Sequence, residues 1–277
     1  MPFRLLALDV DGTLLDPDGV LRPTVQEAVR AAHERGLSVV LCTGRRYRTA
    51  LPILTKLELE GPAVLHNGVV VKDARSGRTL HHSYLPAEIY APALATMRSV
   101  GPPLVYVDQF HEGLDIVAEP ADRAHPFQAE YMADTSEVTR VVTSLDGPPS
   151  QAVVMLSCMA DQASLRALHA EVKNTLSDRI RTNFLLNKNY RGHILEIVSA
   201  ASGKWPALQK ILRERGLAPE DILAIGDDTN DAEMIGAAGL GVAMGNAEAS
   251  VKTAADYVAK TNAEDGVVEA IERFVLQ

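Results

Sequence analysis

The chain has 277 residues, 47% of them hydrophobic and 23% charged, with a formal net charge of -9 at pH 7. That length allows two modules with a sizeable apolar interior, and the acidic balance excludes long-range attraction to nucleic acid or an anionic membrane, so an anionic ligand needs a local site. Cys42 and Cys158 lie too far apart in sequence for a disulfide framework, no apolar stretch has bilayer-spanning length, and Asp9 cuts the N-terminal apolar run short of a signal-peptide core, so a reducing cytoplasm is expected.

The first element is the run "RLLALDV", which ends on Asp9 and Asp11 and passes at once into Gly12-Thr13. It reads as a strand buried on both faces of a parallel sheet, as do "LSVVLCTG", "PAVLHNG", "HILEIV" and "DILAIGDD" further on. Between the first two, Thr24 and Glu27 have capping-box spacing, and "VQEAVRAAHERG" carries an apolar helical face that stops at Gly36. "VVVKDARSGRTLHHSYL" alternates like an antiparallel hairpin turning at Ser76-Gly77. From Pro86 to Arg191 helical stretches ("EIYAPALATMRSV", "ASLRALHAEVKNTL") mix with strand-like runs ("PLVYVDQ", "QAVVMLS"). This reads as an inserted α+β domain over residues 85–191, with hinges near Tyr84 to Pro86 and Tyr190 to Gly192, interrupting a core of residues 1–84 and 192–277. After it the βαβ rhythm resumes, with a helix over Lys204 to Arg215.

Four polar clusters fall at strand ends or the helix starts beyond them: Asp9 with Asp11, Thr43-Gly44-Arg45, Lys204, and "GDDTND" from Gly226 to Asp231. In a doubly wound sheet those ends share one edge, so the clusters meet. Several carboxylates in one crevice repel one another unless a hard divalent cation neutralises them, and all-oxygen ligation suits Mg²⁺. A carboxylate beside Mg²⁺ and an ammonium stays ionised and able to attack phosphorus, while its neighbour two residues on manages protons.

"DVDGTLLD", "CTGR", the lysine of "SGKW" and "GDDTNDAEMI" resemble, in order and spacing, the four motifs of the haloacid dehalogenase superfamily of phosphotransferases. The large insertion and the tail "GVAMGNAEASVKTAADYVAKTNAEDGV" are similar to its Cof-type sugar phosphatase branch. The resemblance implies a Rossmann-like parallel-sheet core with an inserted α+β cap, and a Mg²⁺-dependent phosphatase of small phosphomonoesters. By the same resemblance Asp9 forms the aspartyl-phosphate and Asp11 is the general acid and base. Thr43, Gly44, Lys204 and Asn230 hold the phosphoryl group, and Asp9, the Asp11 carbonyl and Asp227 hold the metal. Asp231 supports the metal waters or Lys204, with Asp228 beside it, while Arg45 and Asn67-Gly68 sit where family members touch substrate or begin the cap. Trp205 stands where the branch usually has glycine, and Lys210 is the alternative to Lys204 on the same helix.

His66, His81, His82, His111, His125 and His193 lack zinc-ligand spacing, and Cys42 reads as a buried strand residue with no base beside it. A phosphotransferase or phosphomutase would use the same aspartyl-phosphate, and a receiver-like phospho-acceptor gathers similar residues without an insert. The first strand is not followed by G-x-G-x-x-G, against a dinucleotide site. The expected partner is a small-molecule phosphomonoester, with no nucleic acid or membrane, and the chain acts as a monomer or weak homodimer.

Overall fold

The structure is a computed structural model that describes residues 3–147, 151–187 and 192–277. The chain enters through β1 (Leu5–Leu8), α1 (Pro23–Glu34), β2 (Ser38–Leu41), α2 (Tyr47–Lys56) and β3 (Pro62–Leu65), then turns back through β4 (Val70–Asp73) and β5 (Thr79–His82). The insert follows as α3 (Ala87–Met97), β6 (Leu104–Gln109), β7 (Leu114–Ala118), α4 (Pro126–Asp134), β8 (Thr139–Val141), β9 (Val153–Ala160), α5 (Gln162–Leu176), β10 (Ile180–Asn187) and β11 (Gly192–Ser199). The return is α6 (Lys204–Arg215), β12 (Ile222–Gly226), α7 (Ala232–Ala237), β13 (Leu240–Ala243), α8 (Ala249–Ala254), β14 (Tyr257–Val258) and α9 (Gly266–Ile271).

The first unit comprises the residues up to His82 and Gly203–Gln277. Its five-stranded sheet runs β14-β13-β12-β1-β2, parallel throughout. β1 and β12 bury every residue, as the uninterrupted apolar runs predict. Leu5, Ala7, Val40, Cys42 and Ala224 pack one face of the sheet against Trp205, Leu208, Ile211 and Leu212 of α6, and Met234 of α7. The chain leaves β1 toward β2 on one side and returns from the insert to β12 on the other, so the order reverses between β1 and β12. That reversal is a topological switch point, where open α/β sheets bind ligands beyond the carboxyl ends of their strands.

The structure departs from three local expectations. α1 begins with Pro23 at its first position and Arg22 as N-cap, so Thr24 lies inside the first turn and its hydroxyl donates to Asp265 Oδ1 at 2.9 Å instead of closing a capping box. "PAVLHNG" touches the parallel sheet only through a bridge from Val64 to Cys42, and its main partner is β4, antiparallel. "HILEIV" is not a core strand, because β11 pairs antiparallel with β9 and β10. Its burial is that of a strand packed on one side: Leu195 and Ile197 face a helix layer while Ile194 and Glu196 stay half-buried.

The second unit therefore spans Ser83–Ser202, starting two residues before and ending eleven residues beyond the expected 85–191. Of the expected hinges, Tyr190 and Arg191 lie outside the described residues. Its six-stranded sheet has the order β10-β11-β9-β6-β7-β8 and is antiparallel except between β7 and β8. Ile89, Leu94 and Met97 of α3 and Leu165, Leu168 and Val172 of α5 pack on Leu156, Cys158, Leu195 and Ile197 of that sheet. No helix among the described residues is long and apolar enough to cross a membrane.

Candidate active site

Parallel register brings the polar clusters together. Leu8 pairs with Ile225 and with Leu41, so β1, β12 and β2 finish abreast and Asp9, Asp227 and Thr43 follow at the same edge. Asp9 is buried, its N–H donating to Ile225 O at 3.0 Å. The chain then turns at Gly12, where φ is +83° and an added Cβ would lie 2.2 Å from Asp227 Oδ2. Only glycine fits so close a crossing of the first and fourth clusters.

Lys204, the first residue of α6, is 2% exposed, and its Nζ donates to Asp9 Oδ1 at 2.6 Å and to Asp231 Oδ1 at 2.7 Å. Of the two candidate lysines, Lys210 instead donates to the His82 carbonyl at 3.2 Å. Trp205 turns into the core beside Leu208, so its bulk leaves the ammonium in place. Asp231 is fully buried, and its Oδ2 accepts from the Asp227 and Asp228 N–H groups, each at 3.2 Å. One ammonium and two amides hold that carboxylate, which makes it the anchor of Lys204. Asp228 accepts from Thr229 N at 2.6 Å and caps its own short turn.

Asp9, Asp227 and Asp231 each offer a carboxylate oxygen within 4.8 Å of the others, the group among the described residues able to hold a metal. Burial raises the Asp9 carboxyl above the usual range, Lys204 opposes that rise, and Asp231 and Asp227 add to it. Asp227 is pushed up to about 6, first by burial and then by the Asp231 charge, against a Thr13 hydroxyl donating at 3.1 Å. For Lys204 burial acts downward, but Asp231 and Asp9 outweigh it and hold the ammonium well above its ordinary value. Three carboxylates thus surround one cation, an excess of negative charge that a hard divalent ion would neutralise, and the all-oxygen donor set fits Mg²⁺.

Asp11 points elsewhere. Arg45 grips it as a fork, Nε to Oδ2 at 2.8 Å and Nη2 to Oδ1 at 2.6 Å, and this hydrogen bonding raises the guanidinium pKa. Thr43 is fully buried and its Oγ1 accepts from Arg45 N at 3.1 Å, which leaves the hydroxyl proton to donate. Gly44 leaves an added Cβ 3.0 Å from Asn67 Oδ1, so this loop packs directly on Asn67. Asn230 Nδ2 donates to that same Oδ1 at 3.0 Å. Burial drives the Cys42 thiol far above its ordinary value, so it is an inert core group.

Sequence reasoning missed Thr13 as an Asp227 partner, the Asn67–Asn230 pair, and Asn246, whose Nδ2 donates to Gly12 O at 2.8 Å and Asp227 Oδ2 at 3.3 Å. Thr13 lay within a motif already singled out; for Asn246 the signal was its place after Gly245, just past β13.

The family model for haloacid dehalogenase-like hydrolases matches residues 6–271. The 5-amino-6-(5-phospho-D-ribitylamino)uracil phosphatase YitU of Bacillus subtilis (strain 168) is 30% identical to this chain, the match covering 98% of this chain and 97% of that one. The pyridoxal phosphate phosphatase YbhA of Escherichia coli (strain K12) is 29% identical, covering 98% of each. A haloacid dehalogenase-like hydrolase from Bacteroides thetaiotaomicron, solved by crystallography, superposes with a TM-score of 0.81 at 30% identity over 98% of this chain and 99% of that one.

Proposed function

The chain belongs to the haloacid dehalogenase-like hydrolases, in their Cof-type phosphatase branch, and on that premise we propose that it hydrolyses small soluble phosphomonoesters, sugar phosphates or related metabolites, with Mg²⁺ and through an aspartyl-phosphate on Asp9. The observation that carries this reading is the buried ammonium of Lys204 bridging Asp9 and Asp231 at the switch point of the sheet.

Asp9 attacks phosphorus in line with the leaving oxygen, and its acyl phosphate forms as that ester bond breaks. Asp11, once released from its ion pair with Arg45 and turned toward the phosphoryl group in its protonated form, gives a proton to the departing alkoxide. It then takes one from the water that attacks the acyl phosphate, so inorganic phosphate leaves and Asp9 is restored. Lys204 spends two of its three N–H groups on Asp9 and Asp231, and the third is free for a phosphoryl oxygen. Thr43 supplies a hydroxyl donor to the same group. Mg²⁺, when held by Asp9, Asp227 and the Asp11 carbonyl, neutralises charge on the carboxylates and the phosphoryl oxygens. Positioning and charge neutralisation account for most of a barrier reduction on the order of 20 kcal/mol.

The substrate class rests on the phosphorylated metabolites in the relatives' names, and the acidic chain, without a basic tract, agrees with a small partner. Its two buried, unpaired thiols agree with work in a reducing cytoplasm. The test is a screen of phosphorylated metabolites with Mg²⁺, following both inorganic phosphate and phosphate isomers, on wild type and Asp9→Asn. Phosphate release that needs Mg²⁺ and Asp9 supports the reading. An isomeric phosphate in place of free phosphate would make the enzyme a mutase, and turnover surviving Asp9→Asn would remove the nucleophile.

A further inference from the structure

His66, Asn67 and Gly68 are three consecutive residues at positive φ, at 49°, 53° and 90°. Asparagine, histidine and glycine enter this region more readily than other residues, yet three in succession are uncommon and their surroundings must hold them. The contacts that hold them come from the catalytic loops. His66 N donates to Arg45 O at 3.1 Å and Asn67 N to Thr43 O at 3.0 Å. Gly68 lies against the start of α6, where an added Cβ would sit 2.0 Å from Gly203 O and 2.9 Å from Lys204 N. The turn therefore touches both the Thr43 loop and the Lys204 backbone, and through the Asn67 amide it reaches Asn230.

Asn230 is pinned at one end only. Its Nδ2 gives one N–H to Asn67, while its Oδ1 is shielded from solvent and has no hydrogen-bond partner. A half-buried carboxamide whose shielded acceptor and second N–H are both unused is incomplete without a ligand. The free N–H suits a phosphoryl oxygen, and the free oxygen suits a water or hydroxyl that accompanies it.

We propose that Asn67 is a positioning residue for phosphoryl binding, acting through Asn230: the left-handed turn, held by the Thr43 loop and the start of α6, fixes the Asn67 amide, and that amide fixes the carboxamide that meets the phosphoryl group. The inference rests on the phosphatase reading above and assigns Asn67 a role at the same site without direct substrate contact. Asn67→Gly removes the amide while keeping the left-handed backbone accessible, which separates the two contributions.

The test is a double-mutant cycle of Asn67→Gly and Asn230→Ala, with Mg²⁺ present, reading inorganic phosphate affinity by calorimetry, orthovanadate inhibition, KM and kcat, and the melting temperature. Each single substitution is expected to weaken phosphate and vanadate binding about tenfold and to raise KM more than it lowers kcat. The double variant is expected to be no weaker than the poorer single one. Losses that multiply to about a hundredfold would make Asn67 an independent contact and overturn the proposal. A lowered melting temperature with phosphate affinity unchanged would overturn it too, leaving a folding role alone. A wild type that neither binds phosphate nor turns over phosphomonoesters would remove the site itself and this inference with it; an active, Asp9-dependent wild type with a multiplicative cycle would remove only the role of Asn67.

Discussion

Lys204 sets the electrostatics of the site, because both carboxylates it touches are buried and both depend on it. Lys204→Ala leaves Asp9 and Asp231 without their cation, and breaking such a pair costs about 3–5 kcal/mol. Urea unfolding at neutral pH is expected to show that loss together with lost turnover. Asp227 gives a pH dependence with a definite sign. Burial lifts its carboxyl to about 6, above the ordinary value near 4, so its contribution to stability is complete below about pH 4 and is lost as pH rises through 6. A divalent ion bound to the ionised form should reverse that loss. The rise in melting temperature on adding Mg²⁺ is therefore expected to be larger at pH 7.5 than at pH 5, and equal rises at both would count against Asp227 as a ligand. Asp9, Asp11, Thr43 and Lys204 were readable as candidates because such residue types at strand ends or helix starts suit this chemistry and follow the order and spacing of the family's motifs. Asn246 was not, since an asparagine in a turn has an ordinary backbone explanation, and Asn67 was marked only by resemblance, its contact with Asn230 being visible only in the fold.

At the scale of elements, β1, β2 and β12 could be read from continuous apolar runs closed by polar residues, and they carry most of the site. β11 misled for a physical reason: Ile194, Leu195, Ile197 and Val198 make an equally apolar run, and the half-buried His193 and Glu196 that mark a one-sided strand are few among them. Short apolar runs of this kind do not reveal which sheet they join. The tight crossing of the first loop over Asp227 makes its own prediction. Gly12→Ala places a methyl 2.2 Å from Asp227 Oδ2 at φ +83°, so it should cost about 1–3 kcal/mol from backbone strain alone and displace the carboxylate besides. Thermal melts and Mg²⁺ titration of the variant check this, and Mg²⁺ affinity equal to wild type would show that the crossing does not shape the metal site.

At the scale of the whole molecule, the first unit holds the polar clusters and the Ser83–Ser202 unit has its own sheet and helix-packed core. Chemistry and selectivity are accordingly expected to separate. Exchanging residues 83–202 for the cap of a relative should transfer substrate preference while turnover still requires Asp9, and a chimaera that keeps the original preference would place selectivity in the first unit. The most direct measurement of the account is to trap the phosphorylated enzyme. p-Nitrophenyl phosphate has a leaving group that departs without a proton, so Asp11→Asn should still be phosphorylated but lose the base that activates water. Acid quench of that variant with ³²P-labelled p-nitrophenyl phosphate and Mg²⁺, followed by peptide mapping, should find close to one label per chain on the peptide holding Asp9, and none with Asp9→Asn. Label on another residue, or turnover with no labelled enzyme under any quench time, would contradict it.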